Sequence, residues 1–274
     1  MRLLRSDNLK FEEFEGENIR GKDYAILSHT WDGPEVRFQD MESGPGVARR
    51  RAASYAKIQG CAEKAHIHGF DYFWVDTCCI DKQSSAELSE AINSMYNWYS
   101  NAGKCYAYLS DVPKVPWKNS RWFTRGWTLQ ELLAPQEVIF YDSNWRRIGT
   151  KAELANDLVE VTGISLEALS GWDPSAFPVA RRMSWASKRT TTRVEDMAYC
   201  LMGIFDVNMP LLYGEGTKAF RRLQEEILKQ IDDHSLFAWR AVARVAPYEY
   251  SGLLAPSPAC FQDSGDISNH WHPI

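Results

Sequence analysis

Between residues 24 and 142 the chain alternates short apolar runs with amphipathic stretches. Tyr24 to Ser28 (YAILS) is an unbroken apolar run that ends in His29-Thr30-Trp31 and the turn signal Asp32-Gly33, the pattern of a buried strand. Arg49 to Gly69 carries Ile58, Ala62 and Ala65 at helical spacing, with Gly69 as its stop. Phe70 to Ile80 (FDYFWVDTCCI) is rich in aromatic and β-branched residues and reads as a second strand. Ser84 followed by Glu87 is a capping box, and the helix behind it sets Leu88, Ile92, Met95 and Tyr99 on one face. Lys104 to Val112 is a third strand, Gly126 to Leu133 a short helix stopped before Pro135, and Gln136 to Asp142 a fourth strand. Strand alternating with helix predicts a parallel sheet with helices on both faces. Ligands of such sheets bind at the carboxyl ends of the strands, and Ser28, His29, Trp31, Asp76 and Cys79 fall at or just past those ends.

The second half has a different rhythm. Thr150 to Thr162 reads as an amphipathic helix, and Ser184 to Phe205 as another, with Val194, Met197, Ala198, Leu201 and Met202 apolar. Gly214-Glu215-Gly216 forms a loop, with Thr217 as N-cap of a helix running to about Asp233, and the chain from Gly252 onward is rich in turns. No repeat or low-complexity linker interrupts it. The pattern describes a single domain over residues 1–274, with an α/β core from about residue 20 to 145 and a mainly helical elaboration from about 146 to 274.

Composition narrows the class. The 274 residues are 45% hydrophobic and 24% charged, as in ordinary globular domains. A net charge of −5 argues against a nucleic-acid module, which carries a basic face. Eleven tryptophans exceed what a core of this size readily satisfies, since each buried indole N–H needs a partner, so some are expected to line a groove or interface. The six cysteines form no C-x-x-C pair, which removes zinc-ribbon spacing. The start, MRLLRSDNLKFEEF, has no apolar signal-peptide segment, and no run is long enough to span a membrane. A reducing, cytoplasmic compartment is expected.

Four strings carry a family likeness: YAILSHTW (24–31), FWVDTCCIDK (73–82), SRWFTRGWTLQELLAP (120–135) and MPLLYGEGTKAFRRLQEEI (209–227). Together they resemble the HET domain of fungal heterokaryon-incompatibility proteins, over nearly the whole chain. That likeness implies a cell-death module of fungal innate immunity. It also implies a parent protein in which the domain comes first, followed by a nucleotide-binding switch and a repeat sensor. HET domains are in turn similar to TIR domains, which implies a TIR-like (flavodoxin-like) sheet, function through self-association, and no bound cofactor, with NAD as substrate. Trp127-x-x-x-Glu131 resembles the helix on which some TIR enzymes carry their catalytic glutamate. The TIR likeness is broken by an insertion around Lys114 to Ser120 and by the long helical second half.

Cleavage of the nicotinamide–ribose bond proceeds through an oxocarbenium-like transition state, and one carboxylate facing the developing charge suffices because nicotinamide leaves neutral. Glu131 is the candidate for that group; the alternatives are a solvated helix residue or a structural partner of Arg125. Trp127 lies one turn before Glu131 on the same helix face, as a wall of the site or as a core residue. Arg125 is a phosphate fork or the partner of Glu131. Trp31 offers a stacking surface, Ser28 and His29 offer hydrogen bonds to ribose or phosphate, and Asp76 orients donors in the cleft. A Cys79–His29 nucleophile pair is the weaker reading of those two residues. His66-x-His68 and His270-x-His272 are poor metal sites, and no Walker or Rossmann glycine loop occurs. The competing function is a non-enzymatic adaptor that makes homotypic contacts through exposed tryptophans.

Overall fold

The structure, a computed structural model, describes residues 1–14, 23–171, 173–241 and 252–268. The chain divides into two compact units, Met1–Trp122 with Ala134–Leu154, and Phe123–Leu133 with Ala155–Ile274.

The first unit holds the sheet. Its strands are β1 (Arg2–Arg5), β2 (Phe11–Glu13), β3 (Tyr24–His29), β4 (Tyr72–Trp74), β5 (Lys104–Leu109), β6 (Val138–Asp142) and β7 (Arg147–Thr150). Its helices are α1 (Phe38–Glu42), α2 (Pro45–Ala48), α3 (Ala52–Ile67) and α4 (Ser85–Asn101). The strands run in the order β2-β1-β4-β3-β5-β6-β7. The central four are parallel, with Ile26 opposite both Trp74 and Cys105, and Tyr106 opposite Ile139. The β1–β2 hairpin and β7 flank them in antiparallel pairing. Counted among themselves, the parallel strands lie in the order 2-1-3-4, the beginning of the flavodoxin-like arrangement, whose direction of winding reverses between β3 and β5. Every residue of β3 and β6 is buried, which is why both read as continuous apolar runs. Tyr24 and Tyr99 fasten β3 and α4 together: Tyr24 donates to the Trp98 carbonyl at 2.6 Å, and Tyr99 to that of Leu27 at 3.0 Å. Ser84 caps α4, accepting the Glu87 amide at 3.3 Å.

Two expectations change. The second strand ends at Trp74, because the chain turns at once: the Cys79 amide donates to the Val75 carbonyl at 2.8 Å, which puts Asp76 inside a tight turn directly beyond β4. The long helix expected from Ser184 to Phe205 is three short ones with a loop between the first two, described below. Strands β1, β2 and β7 are additions to the sequence reading.

The second unit is helical. Its helices are α5 (Thr128–Leu133), α6 (Ala155–Thr162), α7 (Leu166–Leu169), α8 (Val179–Ala186), α9 (Asp196–Tyr199), α10 (Met202–Phe205) and α11 (Lys218–Gln230). The interruption after α8 falls on Thr190-Thr191-Thr192, a β-branched run that loses side-chain freedom in a helix. There the backbone pairs instead with Arg125 through an isolated parallel bridge to Thr190. Helix α11 buries Ala219, Phe220, Leu223 and Ile227. Gln224 is fully buried on the same helix, and its amide both donates to and accepts from the Ala255 backbone at 2.9 Å.

Candidate functional site

In the first unit the carboxyl ends of β3 and β4 carry a connected polar group. The Trp31 indole N–H donates to Asp76 Oδ2 at 3.0 Å. Lys82 Nζ lies 3.5 Å from that same oxygen and 3.8 Å from the centre of the Trp31 ring. Trp31 is 52% exposed, whereas Asp76 and Lys82 keep 21% and 32% of their side chains accessible. An exposed indole whose edge is hydrogen-bonded has a fixed plane and an available face. Burial pulls the Lys82 pKa down, opposed by the charge of Asp76.

Behind this surface sits His29, whose side chain is only 1% exposed. Neither ring nitrogen has a hydrogen-bond partner. Nδ1 stands 3.7 Å from Asp76 Oδ1 and Nε2 stands 3.9 Å from Glu35 Oε2. Burial holds the His29 pKa well below the usual histidine value; Lys57 and Lys82 push the same way and Glu35 opposes them. The ring is therefore neutral at physiological pH. Glu35 is buried with Lys57 at 2.8 Å, and also accepts the Ser54 hydroxyl at 2.5 Å and the Asp32 amide at 3.0 Å. The Lys57 pKa is lowered by burial, with Glu35 opposing.

At the winding reversal, Thr30 and Ser110 face each other across β3 and β5, their hydroxyls 3.4 Å apart. Arg121 donates to Ser110 at 3.2 Å and meets Asp32. Asp111 secures this segment, accepting the Ser120 hydroxyl at 2.6 Å and the Arg121 amide at 2.9 Å. Ser28 lies deeper: it is fully buried, and its hydroxyl accepts the Trp122 indole N–H at 2.9 Å. Cys79 is buried too, with its sulfur receiving the Val75 amide at 3.4 Å.

The remaining candidates belong to the second unit. Glu131 is 7% exposed on α5, beside the buried Leu129, Leu132 and Leu133. Arg189 is buried nearby. Its guanidinium donates to the Arg125 carbonyl at 2.8 Å and to Thr128 Oγ1 at 2.9 Å. Burial lowers its pKa to about 10, with Cys200 and the Glu131 carboxylate opposing, so it stays cationic at neutral pH. The Arg125 guanidinium donates to Thr192 Oγ1 at 3.1 Å. Trp127 is half-buried and hydrogen-bonds Asp196 through its indole. The Tyr213 hydroxyl donates to the same carboxyl at 2.9 Å. Burial raises the Asp196 pKa against these two bonds. Glu195 accepts the amides of Gly214 and Gly216 at 2.9 and 3.0 Å, and its carboxyl pKa is lowered by backbone amides, its own first among them. Both glycines have positive φ, +107° and +62°, which is why this loop is built from them.

The eight sequence candidates thus separate. His29, Trp31 and Asp76 come together with Lys82; Ser28 and Cys79 lie buried in the same unit; Arg125, Trp127 and Glu131 lie in the other. Lys82, Glu35 and Lys57 were not singled out by the sequence reading. Lys82 carried a faint signal, being a cation six residues past a strand-end aspartate. Glu35 and Lys57 carried none, since only the fold pairs them. His68 Nδ1 meets the Tyr106 hydroxyl at 2.8 Å, and His270-x-His272 lies outside the described residues. Among the described residues no group of three His, Cys, Asp or Glu converges to hold a metal ion.

The first unit is thus a parallel-centred α/β sheet with an oriented aromatic–carboxylate pair at its strand ends. Residues 24–114 match the family described as Heterokaryon incompatibility protein (HET), and the chain carries a HET domain. Residues 218–251 match a domain of unknown function, DUF8212. The chain is 52% identical over 246 residues to the Vegetative incompatibility protein HET-E-1 of Podospora anserina. That alignment covers 84% of this chain and 18% of the relative, so the chain spans under a fifth of that protein's length. No solved structure matches. Among the described residues no helix is long and apolar enough to cross a membrane.

Proposed function

We propose that this domain triggers cell death in fungal incompatibility and innate immunity, and that once self-associated in the cytoplasm it cleaves NAD between nicotinamide and ribose. In that reaction water adds to the ribose C1′, the C1′–N bond breaks with its electron pair passing to the nicotinamide ring, and ADP-ribose and a proton are released. The observation that carries the reading is Trp31, an exposed indole held edge-on by Asp76 at the end of the first parallel strand, where sheets with this winding take their ligands. The likeness to HET-E-1, named for vegetative incompatibility, supports the biological role. It also supports a longer parent protein with regulatory domains.

Glu131 is the catalytic carboxylate in this reading. Its support is the Trp127-x-x-x-Glu131 spacing and a buried setting beside a retained cation, Arg189, where charge interactions are strong. The test is nicotinamide release from NAD by the chain fused to a tetrameric coiled coil, beside Glu131→Ala and Glu131→Gln. Release by the wild type that falls at least about 100-fold in both variants is the expected result, the scale of one electrostatic group. Equal rates in wild type and variants would sink the glutamate assignment. No release by any of them, with Glu131→Ala still killing cells, would favour the adaptor.

A further inference from the structure

We propose that the face of Trp31 and the carboxylate of Asp76 form a recognition site for a planar cationic ring, and that Lys82 occupies this site in the free protein as an internal stopper. The inference rests on the reading of Trp31 and Asp76 as ligand-lining residues. It adds the charge of the ligand and a residue that competes with it.

A cation within about 6 Å of an indole centroid is drawn to the negative face of the ring. Lys82 Nζ is 3.8 Å away. It also lies 3.5 Å from Asp76 Oδ2, the atom that receives the Trp31 N–H at 3.0 Å. One oxygen therefore fixes the plane of the ring and anchors the charge resting upon it. Those are the elements that recognise an N-substituted pyridinium, a flat ring bearing one positive charge. Such a ring and the Lys82 ammonium satisfy the same face and the same carboxylate, so they exclude each other. A neutral ring gains nothing from the carboxylate and has no electrostatic means of displacing the ammonium. Lys82 keeps a third of its side chain accessible, and its flexible four-carbon stem allows the head group to swing aside. When a nicotinamide ring leaves its ribose it becomes neutral, and Lys82 then regains its place. Because the cationic ring is the ground state of that reaction, the site strengthens capture of the substrate rather than bond breaking.

The test uses the full 274-residue chain with 1-methylnicotinamide as the charged probe and nicotinamide as its neutral counterpart. Binding is followed through the Trp31 indole N–H resonance, identified by its loss in Trp31→Phe. Lys82→Met keeps the length and apolar packing of the stem and removes the charge. The expected result is that Lys82→Met binds 1-methylnicotinamide about 5- to 30-fold more tightly than wild type, the range of a cation–aromatic contact. Nicotinamide shows no gain, and adding Asp76→Asn abolishes the gain for the charged probe. Should Lys82→Met fold poorly, Lys82→Gln must move affinity in the same direction. Equal affinity in wild type and variant, an equal gain for the neutral ring, or no binding of the charged probe to either would overturn the proposal. NAD cleavage is read separately, on the coiled-coil fusion: cleavage by the fusion with no charge-selective gain refutes the stopper alone, and a gain without cleavage by the fusion refutes the hydrolase alone.

Discussion

His29 is an uncommon arrangement at the scale of single residues: a buried neutral imidazole with a carboxylate on each side, each carboxylate paired with its own lysine. The ring stays neutral because burial and two nearby ammonium groups outweigh the pull of Glu35. Lys57 is the more deeply buried of the two lysines, and removing it leaves Glu35 as an uncompensated buried charge. Lys57→Met is expected to destabilise the protein by about 3–5 kcal/mol, read as a lowered urea midpoint at unchanged slope. Adding Glu35→Gln should recover part of that loss. In any Lys57→Met population that remains folded, NMR titration should find the His29 pKa moved upward, because a depressing charge has gone. A His29 pKa that does not move would show that burial alone sets it. None of this pairing was visible in the sequence, since Glu35 and Lys57 lie on separate elements and each reads there as an ordinary surface charge.

At the scale of elements, legibility followed burial. β3 and β6 bury every position and were plain as apolar runs, and the capped helix α4 announced its start at Ser84. The edge strands β1 and β2 were not, because a few residues with charged ends offer too little periodicity to read. The turn after Trp74 was hidden inside FDYFWVDTCCI, whose composition is strand-like throughout. The segment entering α5 shows a constraint of another kind. A Cβ on Gly126 would lie 2.5 Å from Thr191 Cγ2 and 3.0 Å from Cys200 Sγ, and the Gly126 amide donates to the Thr190 carbonyl at 2.9 Å. Gly126→Ala is therefore expected to cost roughly 1–3 kcal/mol through overpacking, seen as a lowered melting temperature. Thr191→Ser, which removes the nearer methyl, should return part of it. A neutral Gly126→Ala would mean that the Thr190 loop yields freely.

The chain as a whole is interleaved. It leaves the first unit after Trp122, returns at Ala134 and leaves again after Leu154, so the string SRWFTRGWTLQELLAP is shared between units. Its first three residues are anchored on Asp111 and Ser28, and its middle carries the candidate glutamate. This is why the string was legible as a family signature yet silent about where its residues would lie. The arrangement predicts how the protein tolerates truncation. Residues 1–154 alone retain the whole sheet but strand the buried Leu129, Leu132 and Leu133 without the remainder of their unit. That fragment is expected to aggregate, whereas one with residues 123–133 replaced by a glycine–serine linker should unfold cooperatively on heating. Size-exclusion chromatography and thermal melts distinguish the two, and a monodisperse unmodified fragment would contradict the expectation.

The same interleaving orders events at the ribosome. The chain emerges at ~5–20 residues per second, and the sheet is fully synthesised once β7 has left the exit tunnel. Helix α5 is made before β6, but the Arg189 guanidinium that grips the Arg125 carbonyl and Thr128 follows several seconds later. Under the proposed function, the candidate acid Glu131 thus gains its neighbouring cation only after the sheet has been made, so a chain aborted before Arg189 lacks that arrangement.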